Sequence, residues 1–284
     1  MISIVDCGST KAEWVFLEGD KIVERHVTNG FNPNFCDINL LSSITLETII
    51  QNIDSKDIEG LYFYGSGCGG ADNVTKVKAI LKDIFYKANV EVYSDILATC
   101  HALFGNESGI ACILGTGSNV CLYDGKEIIK NAMSLGYVLG DEGSGCYIGK
   151  KIVHDYFYGM MPDELGRKFD EEYNLSRNTL IEKVYKSPQP SRFLASFAKF
   201  ASENIENQYV LDIISNCFND FIKYCVNPLG KCENVGFVGS IAYHFSNILK
   251  QSFENQNFNI KKIVKSPMDG LVDYYVKKSR LSLF

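Results

Sequence analysis

Residues 3–27 read SIVDCGSTKAEWVFLEGDKIVERHV, and this stretch decides the fold. An apolar run from Ile2 to Val5 ends on Asp6, and then comes a turn of small residues, Cys7-Gly8-Ser9-Thr10-Lys11. The chain returns through Trp14 to Leu17, turns again at Glu18-Gly19-Asp20-Lys21, and makes a third run that ends at Val27. Short apolar runs punctuated by Gly, Ser and Asp predict strand, turn, strand, turn, strand. The first turn offers more than a reversal of direction. Small residues leave backbone N–H groups uncovered, Thr10 and Lys11 add a hydroxyl and an ammonium, and Asp6 stands at the strand end. Bare amides beside a cation suit a phosphate, and a carboxylate beside a phosphate suits Mg2+. An ordinary β-hairpin is the alternative reading of these residues alone.

The plan recurs at residues 109–132, GIACILGTGSNVCLYDGKEIIKNA. Ile110 to Leu114 leads into Gly115-Thr116-Gly117-Ser118-Asn119, Val120 to Tyr123 returns to Asp124-Gly125-Lys126, and Glu127 to Lys130 makes the third run. A period of about 110 residues is too long for a solenoid and is the size of a domain. Two lobes on one plan are therefore expected, with the two phosphate-type hairpins facing a central cleft. Neither turn contains GxxxxGK[ST] or GxGxxG, so the P-loop and the dinucleotide fold lack their motifs.

Asp6-Cys7-Gly8-Ser9-Thr10-Lys11 resembles the first phosphate motif of the sugar kinase, actin and heat-shock-70 ATPase superfamily, and Leu114 to Asn119 resembles its second. Further matches narrow the resemblance to the BadF/BadG/BcrA/BcrD-type ATPases, and within them to N-acetylglucosamine kinases. It covers nearly the whole chain. It implies an α/β protein with the two-lobed actin-like ATPase (ribonuclease H-like) fold, duplicated βββαβαβα domains, and ATP with Mg2+ as cofactors. The expected boundaries are 1–106 for the N-terminal lobe and 107–267 for a larger lobe with a helical insertion. A terminal helix over about 268–284 returns to the first lobe.

Composition excludes several other classes. The chain has 284 residues, enough for two domains, and 46% of them are hydrophobic, as in an ordinary soluble protein. A net charge of −6 argues against a nucleic-acid surface or a basic membrane patch. No run approaches about 18 consecutive apolar residues. The N-terminus enters a strand directly, so no signal peptide is read. The ten cysteines form no CxxC pair and no zinc spacing, and a reducing cytoplasm with free thiols is expected.

Between the repeats, Thr28 to Phe35 (TNGFNPNF) is a loop, Ile38 to Ile53 has helical apolar spacing, and Ile58 to Tyr64 is a buried strand. That strand ends in GSGCGG (65–70), a glycine-rich loop of the kind that lines crevices at strand ends. Next come a helix over Asn73 to Lys87 and a strand over Val90 to Tyr93, with Asp95 at the strand end, just before a helical run. From the residues alone Asp95 reads as a helix cap. The resemblance makes it the general base that takes the proton of the attacking sugar hydroxyl, and it makes Asn32 of the Asn-Pro loop a sugar contact.

Past the second hairpin lies SLGYVLGDEGSG (134–145), whose GDEGSG (140–145) places three glycines around an Asp-Glu pair, with a helix beginning near Ser144. The residues alone read as a capped, acidic helix start. GDEGS also resembles a signature of N-acetylglucosamine kinases, in which Asp141 holds sugar hydroxyls and Ser134, Leu135 and Gly136 line the sugar and its acyl group. The family often has Trp where this chain has Leu135. Residues 145–227 read as mostly helical, and Ala201 falls where the family places an alanine near the nucleotide. Val235 to Val238 is a strand leading to Gly239-Ser240, which resembles the adenosine motif, with Ser240 in place of a usual second glycine. Ile260 to Val264 is the last strand.

The expected protein is a magnesium-dependent ATP kinase acting on a hydroxyl of an N-acetylated amino sugar, foremost N-acetylglucosamine. Its metal residue is Asp6 and its base Asp95. Gly8, Ser9, Thr10, Lys11, Gly115, Thr116, Gly117, Gly239 and Ser240 hold ATP. Asn32, Asp95, Ser134, Leu135, Gly136 and Asp141 hold the sugar. Its partners are these small molecules, with no nucleic acid and no membrane. A homodimer is compatible with the sequence and not fixed by it. The alternatives are an ATPase activator of a radical dehydratase, which needs cysteines placed to ligate an iron–sulfur cluster, and a non-catalytic nucleotide-binding sensor.

Overall fold

A computed structural model describes residues 1–281. The chain forms two compact units. One holds Met1–Asn106 and takes the chain back from Pro267, and the other holds Glu107–Ser266.

The first unit is built on strands β1 (Ile2–Cys7), β2 (Lys11–Glu18), β3 (Lys21–Asn29), β4 (Gly60–Gly65) and β5 (Asn89–Ser94), in the sheet order β3-β2-β1-β4-β5. β1 pairs antiparallel with β2 and parallel with β4, and β4 pairs parallel with β5. Successive side chains of a strand point to opposite faces, so a strand covered on both faces carries apolar side chains on both. Ile4 and Val5 are both fully buried and enter different cores. Val5 joins Trp14, Phe16, Phe63, Val77 and Leu81 beneath the helix Ala71–Ile84. Ile4 joins Val15, Tyr64, Ala98, Leu271 and Tyr275 beneath the helices Asp95–Phe104 and Met268–Leu281. The last three residues of the expected terminal helix, 282–284, lie outside the described residues.

The second unit repeats the pattern with β6 (Gly109–Leu114), β7 (Ser118–Tyr123), β8 (Ile128–Asn131), β9 (Val235–Val238) and β10 (Ile260–Val264), ordered β10-β9-β6-β7-β8. The pairing senses are the same, and each sheet has a register shift just before its second turn, at Phe16/Leu17 and at Leu122/Tyr123. Between β8 and β9 the chain is helical, beginning with the single turn Gly136–Leu139 and the helix Gly145–Phe157 and ending in the helix Gln208–Phe221 with a π turn, Ile222–Val226, and a 3-10 turn, Asn227–Leu229. The expected break at Pro188-Gln189-Pro190 is a helix boundary, with Pro190 opening the helix Pro190–Ser196 where its missing N–H costs nothing.

Two expectations are corrected, one for a helix and one for a nucleotide contact. The helix expected to run to Ile53 is α-helical only over Asn39–Ile44 and ends as a π turn over Thr45–Ile49. There the buried Thr45 hydroxyl donates to the Leu41 carbonyl at 2.7 Å, and such back-bonding competes with the regular ladder. Ala201 is fully enclosed with Phe169, Phe197 and Phe200, which leaves it no surface for a nucleotide.

Candidate functional site

In the first unit the parallel register brings three strand ends into one row. Cys7 of β1 lies opposite Gly65 of β4, and Gly65 lies opposite Ser94 of β5. The segments that leave those residues gather at one edge of the sheet, where open α/β sheets bind ligands. They are the turn Gly8–Lys11, the glycine-rich loop from Ser66, and Asp95. The Ser66 amide donates to the Cys7 carbonyl at 2.9 Å, and its hydroxyl donates to Asp95 Oδ2 at 2.9 Å. Asp95 is the first residue of its helix, and Ser94 occupies the cap position without a side-chain capping bond, which corrects the cap reading. Burial raises the Asp95 carboxyl above the ordinary range, opposed by the Ser66 hydroxyl and by the backbone amides of Ile96 and Asp95 itself. Asp6 is pushed up to about 7, first by burial, then by the charges of Asp95 and Glu13, with Lys11 opposing.

The turn itself is closed by a Gly8 N–H bond to the Lys11 carbonyl at 3.0 Å, and Ser9, Thr10 and Lys11 are exposed. Asn32 bolts the Asn-Pro loop to it. This side chain is 7% exposed, so its amide is committed inward. Nδ2 donates to Ser9 Oγ at 3.0 Å, and Oδ1 accepts from the Asn34 amide at 3.0 Å. The exposed Asn34 is held in turn by Asn73, which donates to Asn34 Oδ1 at 2.8 Å and to the Gly67 carbonyl at 2.9 Å. A Cβ on Gly30 would sit 2.1 Å from the Gly8 carbonyl oxygen and 2.5 Å from the amide nitrogens of Thr10 and Lys11. Only glycine fits there.

In the second unit the turn Gly115–Gly117 is the docking point of the helix Gly145–Phe157. Gly145 N–H donates to the Gly115 carbonyl at 2.9 Å and Cys146 N–H to the Thr116 carbonyl at 3.1 Å, while Ser144 caps the helix by accepting from the Tyr147 amide at 3.1 Å. Gly239 closes on the same turn. It has φ of 128°, and a Cβ there would lie 2.2 Å from the Leu114 carbonyl oxygen, so the position excludes side chains on two counts. Ser240 is exposed and opens the short helix Ser240–His244.

Asp141 stands in the left-handed region, φ 57°, which Asp tolerates better than most residues. Its carboxylate accepts the Ser118 amide, and burial raises its pKa, opposed by that bond and by the charge of Lys150. Asp141 and Ser134 line one small recess with Ser118, Asn119, Glu142 and Cys225. The Cys225 thiol donates to Glu142 Oε2 at 3.6 Å. Leu135 and Gly136 do not line it, and Leu135 is 53% exposed.

Sequence reasoning did not single out Ser66, Gly30, Asn73 or Lys150. Ser66 lies within a glycine-rich loop and Gly30 within the Asn-Pro loop, and neither residue carries a local mark of its role. The partners that give these residues meaning are distant in sequence. Among the described residues no three metal-ligating side chains converge, all ten cysteines are free thiols, and no helix is long and apolar enough to cross a membrane.

The chain is similar to known proteins over nearly its whole length. The profile of the BadF/BadG/BcrA/BcrD ATPase family matches residues 5–272. A candidate N-acetylglucosamine kinase from Porphyromonas gingivalis is 35% identical, with a TM-score of 0.94 over 98% of this chain and 100% of its own. A second candidate N-acetylglucosamine kinase, from Chromobacterium violaceum, is 16% identical, with a TM-score of 0.69 over 96% of this chain and 99% of its own. A Streptomyces griseus glucokinase solved with glucose and AMPPNP shares the fold at 12% identity, with a TM-score of 0.59 over 96% of this chain and 97% of its own. Among curated proteins none matches.

Proposed function

The chain belongs to the BadF/BadG/BcrA/BcrD ATPase family, and from that premise we propose that it is a phosphotransferase that moves the ATP γ-phosphate to a hydroxyl of an N-acetylated amino sugar, foremost N-acetylglucosamine. The observation that carries the reading is the pairing of Asp95 with Ser66 at the row of strand ends, beside Asp6 and the turn Gly8–Lys11.

Phosphoryl transfer asks little covalent chemistry of a protein and much positioning. Asp95 takes the proton of the attacking hydroxyl as the oxygen bonds to the γ-phosphorus and ADP departs. Burial brings its pKa nearer neutrality, where a base works best. Ser66 fixes the orientation of the carboxylate. Gly8, Ser9, Thr10, Lys11, Gly115, Thr116 and Gly117 are the phosphate-binding residues, and Gly239 and Ser240 lie against the nucleoside. Ser134 and Asp141 form the sugar set, and Asn32, its amide engaged by Ser9 and Asn34, serves the sugar by fixing its own loop.

Asp6 suits Mg2+. A carboxylate that burial and two like charges drive to about 7 is relieved by a cation. One protein carboxylate with waters and phosphates is the usual Mg2+ environment, not a cage of side chains. When bound, Mg2+ supplies charge neutralisation on the phosphate oxygens. The deciding experiment is coupled ADP release over a panel of N-acetylglucosamine, N-acetylmuramic acid, N-acetylmannosamine and glucosamine. Sugar-dependent turnover on an N-acetylated member is expected. Equal ADP release with and without every sugar overturns the reading.

A further inference from the structure

The segment from Met133 to Leu139 is held by almost nothing of its own. It carries a single helical turn, Gly136–Leu139, in which no residue is buried. Its apolar side chains face solvent: Met133 is 83% exposed, Val138 67% and Leu139 74%. Apolar burial, the usual anchor of such a turn, is missing. The Gly140 amide closes the turn on the Gly136 carbonyl at 2.8 Å, a bond local to the turn. Among the described residues, one hydrogen bond ties 133–139 to a distant element: Lys150 Nζ donates to the Tyr137 carbonyl. Lys150 lies on the helix Gly145–Phe157, which starts directly after Gly140-Asp141-Glu142-Gly143-Ser144 and docks on the Gly115–Gly117 turn. Its ammonium also sits 5.2 Å from the centroid of the Tyr147 ring, and Tyr147 is fixed by its hydroxyl bond to Asp220 Oδ2 at 2.8 Å. The tether therefore starts from a rigid base.

We infer that Lys150 is a positioning residue for sugar recognition, holding the otherwise unanchored segment 133–139, with Ser134 on it, in register with Asp141. This rests on the sugar-kinase reading of the protein. The geometry is economical: one cation serves both halves of the recess. It bonds the segment that bears Ser134, and its charge opposes the burial of Asp141. Lys150 is given no role in touching sugar or phosphate.

The test uses the full chain with Lys150→Met, which keeps the stem over Tyr147 and removes the donor, and Lys150→Arg, which keeps a charged donor. A hydrogen bond from a charged group to a carbonyl is worth enough to change an opening equilibrium by about tenfold or more. Hydrogen–deuterium exchange of the peptide covering 133–140 should therefore speed up by about tenfold or more in Lys150→Met, and return towards wild type in Lys150→Arg. Peptides from the core of the helix Gln208–Phe221 should exchange as in wild type. With the sugar that gives turnover, Lys150→Met should raise the sugar KM by a similar factor and leave kcat and the ATP KM near wild type, the signature of lost binding without lost chemistry. Wild-type exchange at 133–140 in Lys150→Met overturns the tether. Faster exchange with an unchanged sugar KM overturns its role in recognition. Absence of any sugar-dependent turnover in the wild type defeats the kinase reading instead, and the exchange measurement still decides the tether.

Discussion

The Ser66 hydroxyl donates to Asp95 Oδ2 at 2.9 Å, across 29 positions of sequence, because β4 and β5 are parallel neighbours that end side by side. The bond does two things to the carboxylate. It fixes which oxygen is turned into the protein, and it stabilises the charged form against burial.

Ser66→Ala removes both effects. A neutral donor to a charged acceptor contributes about 1.5–3 kcal/mol, so kcat should fall by roughly tenfold or more. The bond lowers the Asp95 pKa, so its loss raises that pKa, and the acid limb of the kcat/KM profile should move to higher pH. A pH profile of sugar-dependent ADP release checks both. An unmoved acid limb with unchanged kcat would detach Ser66 from the base.

Asp95→Asn keeps the size of the side chain and removes its basicity. General-base catalysis contributes about 10²–10⁴-fold, so kcat should fall at least about 10²-fold while ATP affinity holds. The folded protein should not weaken at pH 8. The cap position belongs to Ser94, and the substitution removes a carboxylate that burial disfavours in its charged form. Thermal melting beside kinetics tests this, and near wild-type turnover would remove Asp95 from the mechanism.

Much of the architecture was legible, for a physical reason. Strands covered on both faces are apolar nearly throughout, so Ile2 to Val5, with Ser3 its one polar residue, and Ile110 to Leu114 announce themselves, and turns that expose amides need small residues, so Gly8-Ser9-Thr10 and Gly115-Thr116-Gly117 do too. Relationships between distant segments were not legible. Nothing near Ser66 encodes Asp95, and nothing near Lys150 encodes the Tyr137 carbonyl. Asn32 illustrates the same limit. Its place before Pro33 marks a loop, while its bond to Ser9 needs the loop folded back on the first turn. Ala201 failed differently, because an alanine on a helix carries no local mark of whether its surroundings are solvent or Phe169 and Phe200.

The helix that begins at Asp95 also carries His101, which supplies a pH dependence. His101 Nδ1 meets the Tyr64 hydroxyl at 2.8 Å, its ring stacks on Tyr274 at 4.2 Å, and Tyr64 meets the Tyr275 hydroxyl at 2.8 Å, so the terminal helix is docked through this network. Burial, helped by Lys278, lowers the His101 pKa from 6.5 to about 4. A depressed folded-state pKa means that the unfolded chain takes up a proton first as pH falls. The stability held above 6.5 should therefore be lost between about 6.5 and about 4. Urea midpoints across that range should fall more steeply in wild type than in His101→Gln. Parallel curves would place the acid sensitivity elsewhere.

The last prediction concerns the approach of Asp141 to the second turn. A Cβ on Gly117 would lie 2.9 Å from Asp141 Oδ2, and the Asp141 carboxylate accepts the Ser118 amide. Asp141 thus shares the recess with Ser134, which is why the proposed sugar set includes it, and is tied to the turn by its backbone bond. Asp141→Ala removes a charged acceptor, worth about 1.5–3 kcal/mol per bond, so sugar affinity should fall by roughly tenfold or more. ATP affinity should fall less, because the Ser118 amide lies at the end of β7 and can be solvated. Gly117→Ala keeps the carboxylate and displaces it. It should reproduce the loss of sugar affinity and add a loss of ATP affinity, since the added methyl sits within the turn itself. Calorimetry with each ligand separates the two variants. Equal losses for sugar and ATP in Asp141→Ala would move Asp141 out of the sugar set and leave it as a support of the turn, and an unaffected Gly117→Ala would show that the turn and the carboxylate do not bear on one another.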